Sequence, residues 1–417
     1  MVVMKAVILA AGEASRFWPL NTRHKSLFRI MGRPVIQYCI DSLRKAGIRE
    51  IIIIQRPTRD IENAIAIDNP GIRFVVQAEP KGMGNALTAA ENLIDDEFLV
   101  VNAERTEAGE FARRLSERKK VLGADAMLLA SETKEPWLYG ILETGGEIAK
   151  GITEKPAKGS EKSNIKAAGI YLLPKDFFAY HSKACESMYS FEDALSSMMK
   201  EKSVGIVMAE KEMPSLKYPW SLFGLAKSMM DSGLKKKISG SARIARSAVI
   251  EGNVHIGDNT VVFENAVIKG PCYIGDNCVI GNNTLVREYS DIESLSIIGA
   301  NCEFARSLCQ EDVHLHSGYV GDSVIGMNCR IGAGIITANL RLDRENVKTF
   351  IKGEKIDTGM KSLGCVIGEN TRIGIGSMFM PGVMIGQDCT IGPGSLIDKN
   401  VESCRKIYAK IESFSGQ

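Results

Sequence analysis

ARIARSAVIEGNVHIGDNTVVFENAVIKGPCYIGDNCVIGNNTLVREYSDIESLSIIGANCEF, residues 242–304, decides the fold of the C-terminal half. An aliphatic or aromatic residue returns at every sixth position: Ile244, Ile250, Ile256, Val262, Ile268, Ile274, Ile280, Val286, Ile292, Ile298 and Phe304. Neither an α-helix nor a hairpin has that period. Two positions earlier stands a small residue or valine, among them Ala242, Thr260, Cys278 and Ser296, and Gly often follows the aliphatic one, as at Gly257 and Gly275. A six-residue period of this kind is the signature of a parallel β-helix. Each hexad supplies one short strand and one corner, three hexads close a triangular coil, and the aliphatic residues stack along the axis. The ladder is interrupted after Phe304, resumes at Ile325 and Ile331, breaks again, and runs on through Ile367, Ile373, Phe379, Ile385, Ile391 and Ile397. The chemistry of this half is expected at the breaks.

The remaining composition is that of a soluble globular protein. The 417 residues suggest about two or three domains, with 45% hydrophobic and 24% charged residues. Fifty-two basic against fifty acidic side chains give no general pull towards nucleic acid or an anionic membrane, so neither is an expected partner. The apolar run Ala6 to Ala11 is too short for a signal peptide's core, and no run approaches a membrane span, so the chain reads as cytoplasmic. The ten Cys form no CxxC pair; Cys272, Cys278 and Cys302 occupy the small position of the repeat and read as packed thiols.

From Lys5 to about Ser232 short apolar runs alternate with amphipathic stretches. Ala6–Leu9, Ile51–Ile54, Phe74–Val76, Phe98–Val101 and Met127–Ala130 are predicted as buried strands, and Pro34 opens a helix with Ile36, Cys39, Ile40 and Leu43 on one face and a stop at Gly47. This alternation implies an α/β layer with a mostly parallel sheet. Residues 231–240 are polar and unperiodic and separate the two periods. The first strand runs into LAAGEASRFWPLNTRHKSL, residues 9–27, a Gly turn followed by Arg16 and Lys25. Such a turn offers backbone N–H groups to phosphates, with two cations nearby to neutralise them.

The order of LAAG with Arg16 and Lys25, then Gln77 before Gly82, Tyr139-Gly140, Glu154-Lys155-Pro156 and Ala168-Gly169-Ile170-Tyr171 resembles the sugar-1-phosphate nucleotidyltransferase family. Fused to a hexapeptide β-helix, the chain resembles the archaeal bifunctional N-acetylglucosamine-1-phosphate uridylyltransferases and glucosamine-1-phosphate acetyltransferases. The resemblance implies that Leu9, Ala10, Ala11, Gly12, Gln77 and Gly82 bind the nucleotide, that Arg16 and Lys25 bind its triphosphate, and that Gly140, Glu154 and Asn164 contact the sugar. It also implies a left-handed coil, whereas β-strand crossovers are otherwise right-handed.

Departures from the family pattern accompany the matches. The family's GxGTR loop is Gly12-Glu13-Ala14-Ser15-Arg16 here, so its second Gly, which permits close approach to phosphate, is Ala14. The metal motif Asn-Gly-Asp is Asn102-Ala103-Glu104, and an acidic residue expected before Tyr218-Pro219-Trp220 is Ser215. Glu104 is left as the implied ligand for Mg²⁺, and its longer reach suggests weak turnover or a need for Mn²⁺.

HLHSGYVGDSVIG, residues 314–326, and GAGIITANL, residues 332–340, resemble the acetyltransferase signature, which places His316, Tyr319 and Asn339 around the glucosamine amine. Nitrogen attack on the thioester of acetyl-CoA requires a base, and neutral imidazole suits that task near pH 7. His314 is left as a bystander. The basic loop that binds phosphate in the family keeps Lys348, Lys352 and Lys355 but carries Glu345 and Met360 where basic residues are usual.

Together these readings predict a Rossmann-like α/β nucleotidyltransferase domain over 1–232, a linker over 233–240 and a left-handed β-helix over 241–417. The expected assembly is a homotrimer and the expected co-substrates are UTP, acetyl-CoA and sugar phosphates. The thinned charge leaves two alternatives: a non-catalytic sugar-nucleotide sensor or assembly partner, and a nucleotidyltransferase for dTTP or GTP with a hexose-1-phosphate.

Overall fold

The computed structural model describes residues 4–410. They divide into two compact units. One comprises the described residues up to Glu13 with Pro34–Met213; the other comprises Ala14–Arg33 with Pro214 onwards.

The first unit is built on a nine-stranded sheet. Its strands are β1 (Lys5–Ala10), β2 (Glu50–Gln55), β3 (Arg73–Val76), β4 (Phe98–Asn102), β5 (Ala126–Glu132), β6 (Gly140–Gly145), β7 (Ile148–Glu154), β8 (Ile165–Leu173) and β9 (Val204–Met208). Their order in space is β3-β2-β1-β4-β8-β5-β9-β7-β6. The five predicted strands are present, and β1 to β4 pair in parallel. Beyond β4 the sheet is mixed rather than mostly parallel. The β6–β7 hairpin reverses the chain, so β8 enters antiparallel to both β4 and β5. Strand β3 lies at the edge and is only half-buried. The predicted helix is α1 (Val35–Lys45), with Val35, Ile36, Cys39, Ile40 and Leu43 buried. It packs on α2 (Ala108–Leu122), where Gly109 N donates to Ser42 Oγ at 3.0 Å. Val7, Ile52, Ile54, Phe98, Val100, Leu128 and Tyr171 share one apolar core.

In the second unit three parallel sheets of short strands form the faces of the coil. Ile256, Ile274 and Ile292 stack on one face, Val262, Ile280 and Ile298 on the next, and Ile268, Val286 and Phe304 on the third. All nine are at most 1% exposed, which is the hydrophobic stabilisation of the rod. The first rung, Lys237–Ile238, lies inside the stretch read from sequence as a linker. Corners are turned by residues in the left-handed region, among them Asn259, Asn265, Asn277, Asn283 and Asn301, which all have φ between 54° and 58°. Asn tolerates that region better than other side chains. Stacked corners also hydrogen-bond along the rod, as from Asn265 to Asn283 and from Asn283 to Asn301.

The interruption expected after Phe304 is instead a shortening. Cys309, Leu315 and Val320 continue the three buried columns, and steps of five residues replace steps of six at Cys309, Val320 and Ile325. The later break is a true excursion that leaves the coil after Thr337 and returns at Cys365, with an antiparallel hairpin of Lys348–Ile351 and Glu354–Asp357.

Residues 14–33 belong to the β-helical unit through hydrogen bonds from their main chain. Met31 N donates to Asp291 Oδ2 at 2.7 Å and Gly32 N to Glu293 Oε1 at 2.8 Å.

Candidate functional sites

In the first unit the strand order reverses its direction of growth between β1 and β4. That is the switch point where open α/β sheets bind ligands, at the carboxyl ends of the strands. Leu9 is registered with Asn102, so the Ala10–Gly12 turn and the Ala103–Arg105 turn leave the sheet side by side. Gly12 is exposed and has no atom near the position of a side chain. Gln77 is buried, and its amide donates to Asn85 Oδ1 at 2.8 Å and to the Gly82 carbonyl at 3.2 Å, which brings these two predicted residues together. Both amide hydrogens are thereby used, leaving Oε1 as the acceptor for a ligand.

Gly140 and Glu154 also meet, as registered partners across the β6–β7 hairpin. A Cβ at Gly140 would lie 2.8 Å from Glu154 Oε2, so a side chain there would displace the carboxylate. Lys155 holds the other oxygen at 3.1 Å. Glu192 was missed from sequence. Burial, and then the nearby Glu154, push its carboxyl up to about 8. Asn164 is exposed at the start of β8, where its carbonyl accepts from Thr133 N at 2.9 Å.

Glu104 is 5% exposed. The thiol of buried Cys39 on α1 is pushed up by burial first and by the charge of Glu104 second. Among the described residues no three His, Cys, Asp or Glu side chains form a metal cage. A carboxylate oxygen is a hard donor of the kind that Mg²⁺ takes together with water and phosphate.

Arg16 and Lys25 lie in the segment that belongs to the second unit. Arg16 is exposed, and Lys25 Nζ donates to the Leu216 carbonyl at 2.8 Å. The substituted Ala14 has φ 52° and ψ 29°, the left-handed conformation natural to the glycine it replaces.

On the β-helix, Tyr319 and Asn339 are in direct contact. Asn339 Nδ2 donates to the Tyr319 hydroxyl at 3.1 Å and to Asp322 Oδ2 at 2.5 Å. Asp322 in turn accepts from Arg306 Nε at 2.7 Å and Nη2 at 2.9 Å, and this pairing raises the Arg306 guanidinium above its ordinary value. His316 is exposed one corner away, and its N–H donates to the Ile331 carbonyl at 3.0 Å. It lines a groove of about 790 Å³ with Gly332, Ala333, Gly374, Pro393 and Tyr408. Tyr319 lines a separate cleft of about 590 Å³ with Glu303, Gly318 and Ile336. Within one chain the predicted trio is thus a hydrogen-bonded pair and a histidine on the neighbouring edge. His314 stands 3.1 Å from Asp312. Lys348 is exposed on the excursion hairpin.

No helix of the described residues is long and apolar enough to cross a membrane. Comparison with known proteins agrees with the two architectures. Residues 5–235 match the family Nucleotidyl transferase, and residues 253–288 and 364–399 match Bacterial transferase hexapeptide (six repeats). The bifunctional protein GlmU of Methanocaldococcus jannaschii is 34% identical over 416 residues, covering 98% of each chain. A bifunctional sugar-1-phosphate nucleotidylyltransferase/acetyltransferase of Sulfurisphaera tokodaii is 32% identical, covering 95% of this chain and 98% of its own. The chain belongs to this family of bifunctional transferases, in which a nucleotidyl transferase domain is followed by a left-handed hexapeptide β-helix.

Proposed function

We propose that the protein makes a UDP-amino sugar in two steps: acetylation of glucosamine-1-phosphate by acetyl-CoA, then transfer of a uridylyl group from UTP to N-acetylglucosamine-1-phosphate with release of pyrophosphate. The observation that carries this reading is collinearity with the bifunctional relatives over essentially the whole chain. The positions of the matching residues support it.

In the nucleotidyl transferase domain the Leu9–Gly12 turn and Gln77 hold the nucleotide, Arg16 and Lys25 serve as cations for the triphosphate, and Gly140, Glu154 and Asn164 receive the sugar. Glu104 would hold Mg²⁺, which when bound supplies charge neutralisation between the two phosphates. The domain's own contribution is positioning and preorganised charge.

In the β-helix His316 takes a proton from the sugar amine as nitrogen attacks the thioester carbonyl and coenzyme A leaves as the thiol. Tyr319 and Asn339 position the sugar. Since His316 and Tyr319 line different clefts of one chain, the acetyl site is proposed to close between neighbouring copies in a homotrimer, with Lys348 supplying charge for the sugar phosphate. The setting is the cytoplasm.

The test is a paired assay on the full chain. Pyrophosphate release is followed with UTP, dTTP or GTP and a panel of sugar-1-phosphates, with Mg²⁺ or Mn²⁺. Thiol release is followed with acetyl-CoA and glucosamine-1-phosphate. Both products are expected, the first favouring UTP; neither would appear from a binding protein. Light scattering at micromolar concentration should give a trimer, and a monomer would overturn the shared site.

A further inference from the structure

The acetyl-transfer reading names Tyr319 and Asn339 but leaves open what holds them and which atoms they offer. Asn339 has an amide with two possible orientations. Asp322 settles the choice, because a carboxylate only accepts hydrogen bonds and must therefore face Nδ2 rather than Oδ1. The second amide hydrogen goes to the Tyr319 hydroxyl oxygen. Both donors of Asn339 are then spent inside the protein, and its Oδ1 is the atom left for a ligand. By the same count Tyr319 accepts from Asn339 and keeps its own O–H hydrogen to donate.

Resting on the proposed acetyltransferase reading, we infer that Asp322, held by Arg306, is a positioning residue that fixes Asn339 with its carbonyl towards the substrate amine and leaves Tyr319 as a donor. The site thus offers one acceptor and one donor in a fixed order. An amine nucleophile needs the acceptor, which receives an N–H and leaves the lone pair free to attack. The donor suits an oxygen of the sugar phosphate or of the thioester.

The surroundings are built for this task. The Asp322 side chain is 8% exposed and bound through two oxygens to a guanidinium, so it neither rotates nor exchanges readily with water. Arg306 also lies 3.7 Å from Glu288. Asp322 occupies a left-handed corner with φ 47°, a conformation that Asp and Asn tolerate. The space for the Tyr319 ring comes from Gly321, where any Cβ would collide with the phenol oxygen.

Asp322→Asn tests the inference, since it keeps the shape and the corner conformation while removing the charge and the obligatory acceptor. The KM for glucosamine-1-phosphate should rise by about tenfold or more, the scale of a lost charged hydrogen bond. The KM for acetyl-CoA and pyrophosphate release with N-acetylglucosamine-1-phosphate should stay as in the wild type. Arg306→Gln, a half-exposed position, should move the same KM in the same direction by less. An unchanged glucosamine-1-phosphate KM in both variants overturns the inference while leaving the acetyltransferase reading intact. So does an equal rise in both KM values, which marks a general structural role. A wild type that releases no thiol with any amino sugar phosphate overturns the acetyltransferase reading itself, and this inference with it.

Discussion

Gln310 grips the main chain of Arg29 from both sides, its Nε2 donating to the Arg29 carbonyl and its Oε1 accepting from the Arg29 N–H, each at 2.9 Å. A rung of the β-helix thereby holds the segment that carries Arg16 and Lys25. Gln310→Ala removes two hydrogen bonds and leaves both main-chain groups to be satisfied by water, a loss of about 1–2 kcal/mol. The expected outcome is a lower unfolding midpoint together with a several-fold higher KM for UTP in pyrophosphate release. A variant with lower stability and an unchanged KM would show that the segment's anchorage and nucleotide binding are independent.

The same segment is held by two buried carboxylates that face each other. Burial pushes both upward: Asp291 well above its ordinary value, with Glu293 as its second cause, and Glu293 to about 7, opposed by the Gly32 N–H and by Arg29. Glu311 adds to the negative charge. An acid whose folded value is raised binds more proton folded than unfolded, so its stabilising contribution is complete below about 4.5, is lost as pH rises through about 7, and does not return above it. Denaturant titrations from pH 4 to 8 should therefore find a fall in stability that Glu293→Gln flattens. Parallel pH profiles of the two proteins would reject this assignment.

Ala14→Gly relieves a left-handed alanine, which costs about 1–2 kcal/mol, against the smaller gain in unfolded-chain entropy that glycine brings. The variant should be no less stable than the wild type, and its KM for UTP should fall because the backbone can approach a phosphate. A midpoint lowered by several degrees would mean that the Ala14 methyl packs more tightly than its conformation suggests.

His316→Ala should lower thiol release about 10²- to 10⁴-fold, the usual contribution of a positioned base. Circular dichroism and pyrophosphate release should not change, since the exposed ring supports no rung of the coil. Wild-type thiol release by the variant would remove His316 from the reaction.

The axial columns were legible because a period of six leaves little choice of partner: Ile256, Ile274 and Ile292 had to align. The shortened coils were not, since a step of five breaks the count while Cys309 and Leu315 keep the column filled. The attachment of residues 14–33 was hidden for a different reason. It depends on bonds from Arg29, Met31 and Gly32 to side chains some 260–280 positions later, and no local pattern encodes those. Tyr319 and Asn339 were singled out by resemblance to the acetyltransferase signature, whereas Asp322 was not singled out; its place directly after Gly321 in GYVGDS was the available signal. The antiparallel entry of β8 followed from a hairpin whose partner strand the apolar runs did not reveal.

A rod of interchangeable eighteen-residue coils has a weakness of its own, because an Ile column can slide by one coil and still meet Ile. The sixteen-residue coils from Phe304 to Val320 and from Leu315 to Ile331 remove that degeneracy, since a chain slipped by one coil would arrive there two residues out of phase and no longer set aliphatic residue against aliphatic residue in the column. The short coils act as a vernier mark. They index the stack, and His316, Tyr319 and Asp322 sit on the mark, so the residues proposed for acetyl transfer fall at a height of the rod that irregular spacing fixes.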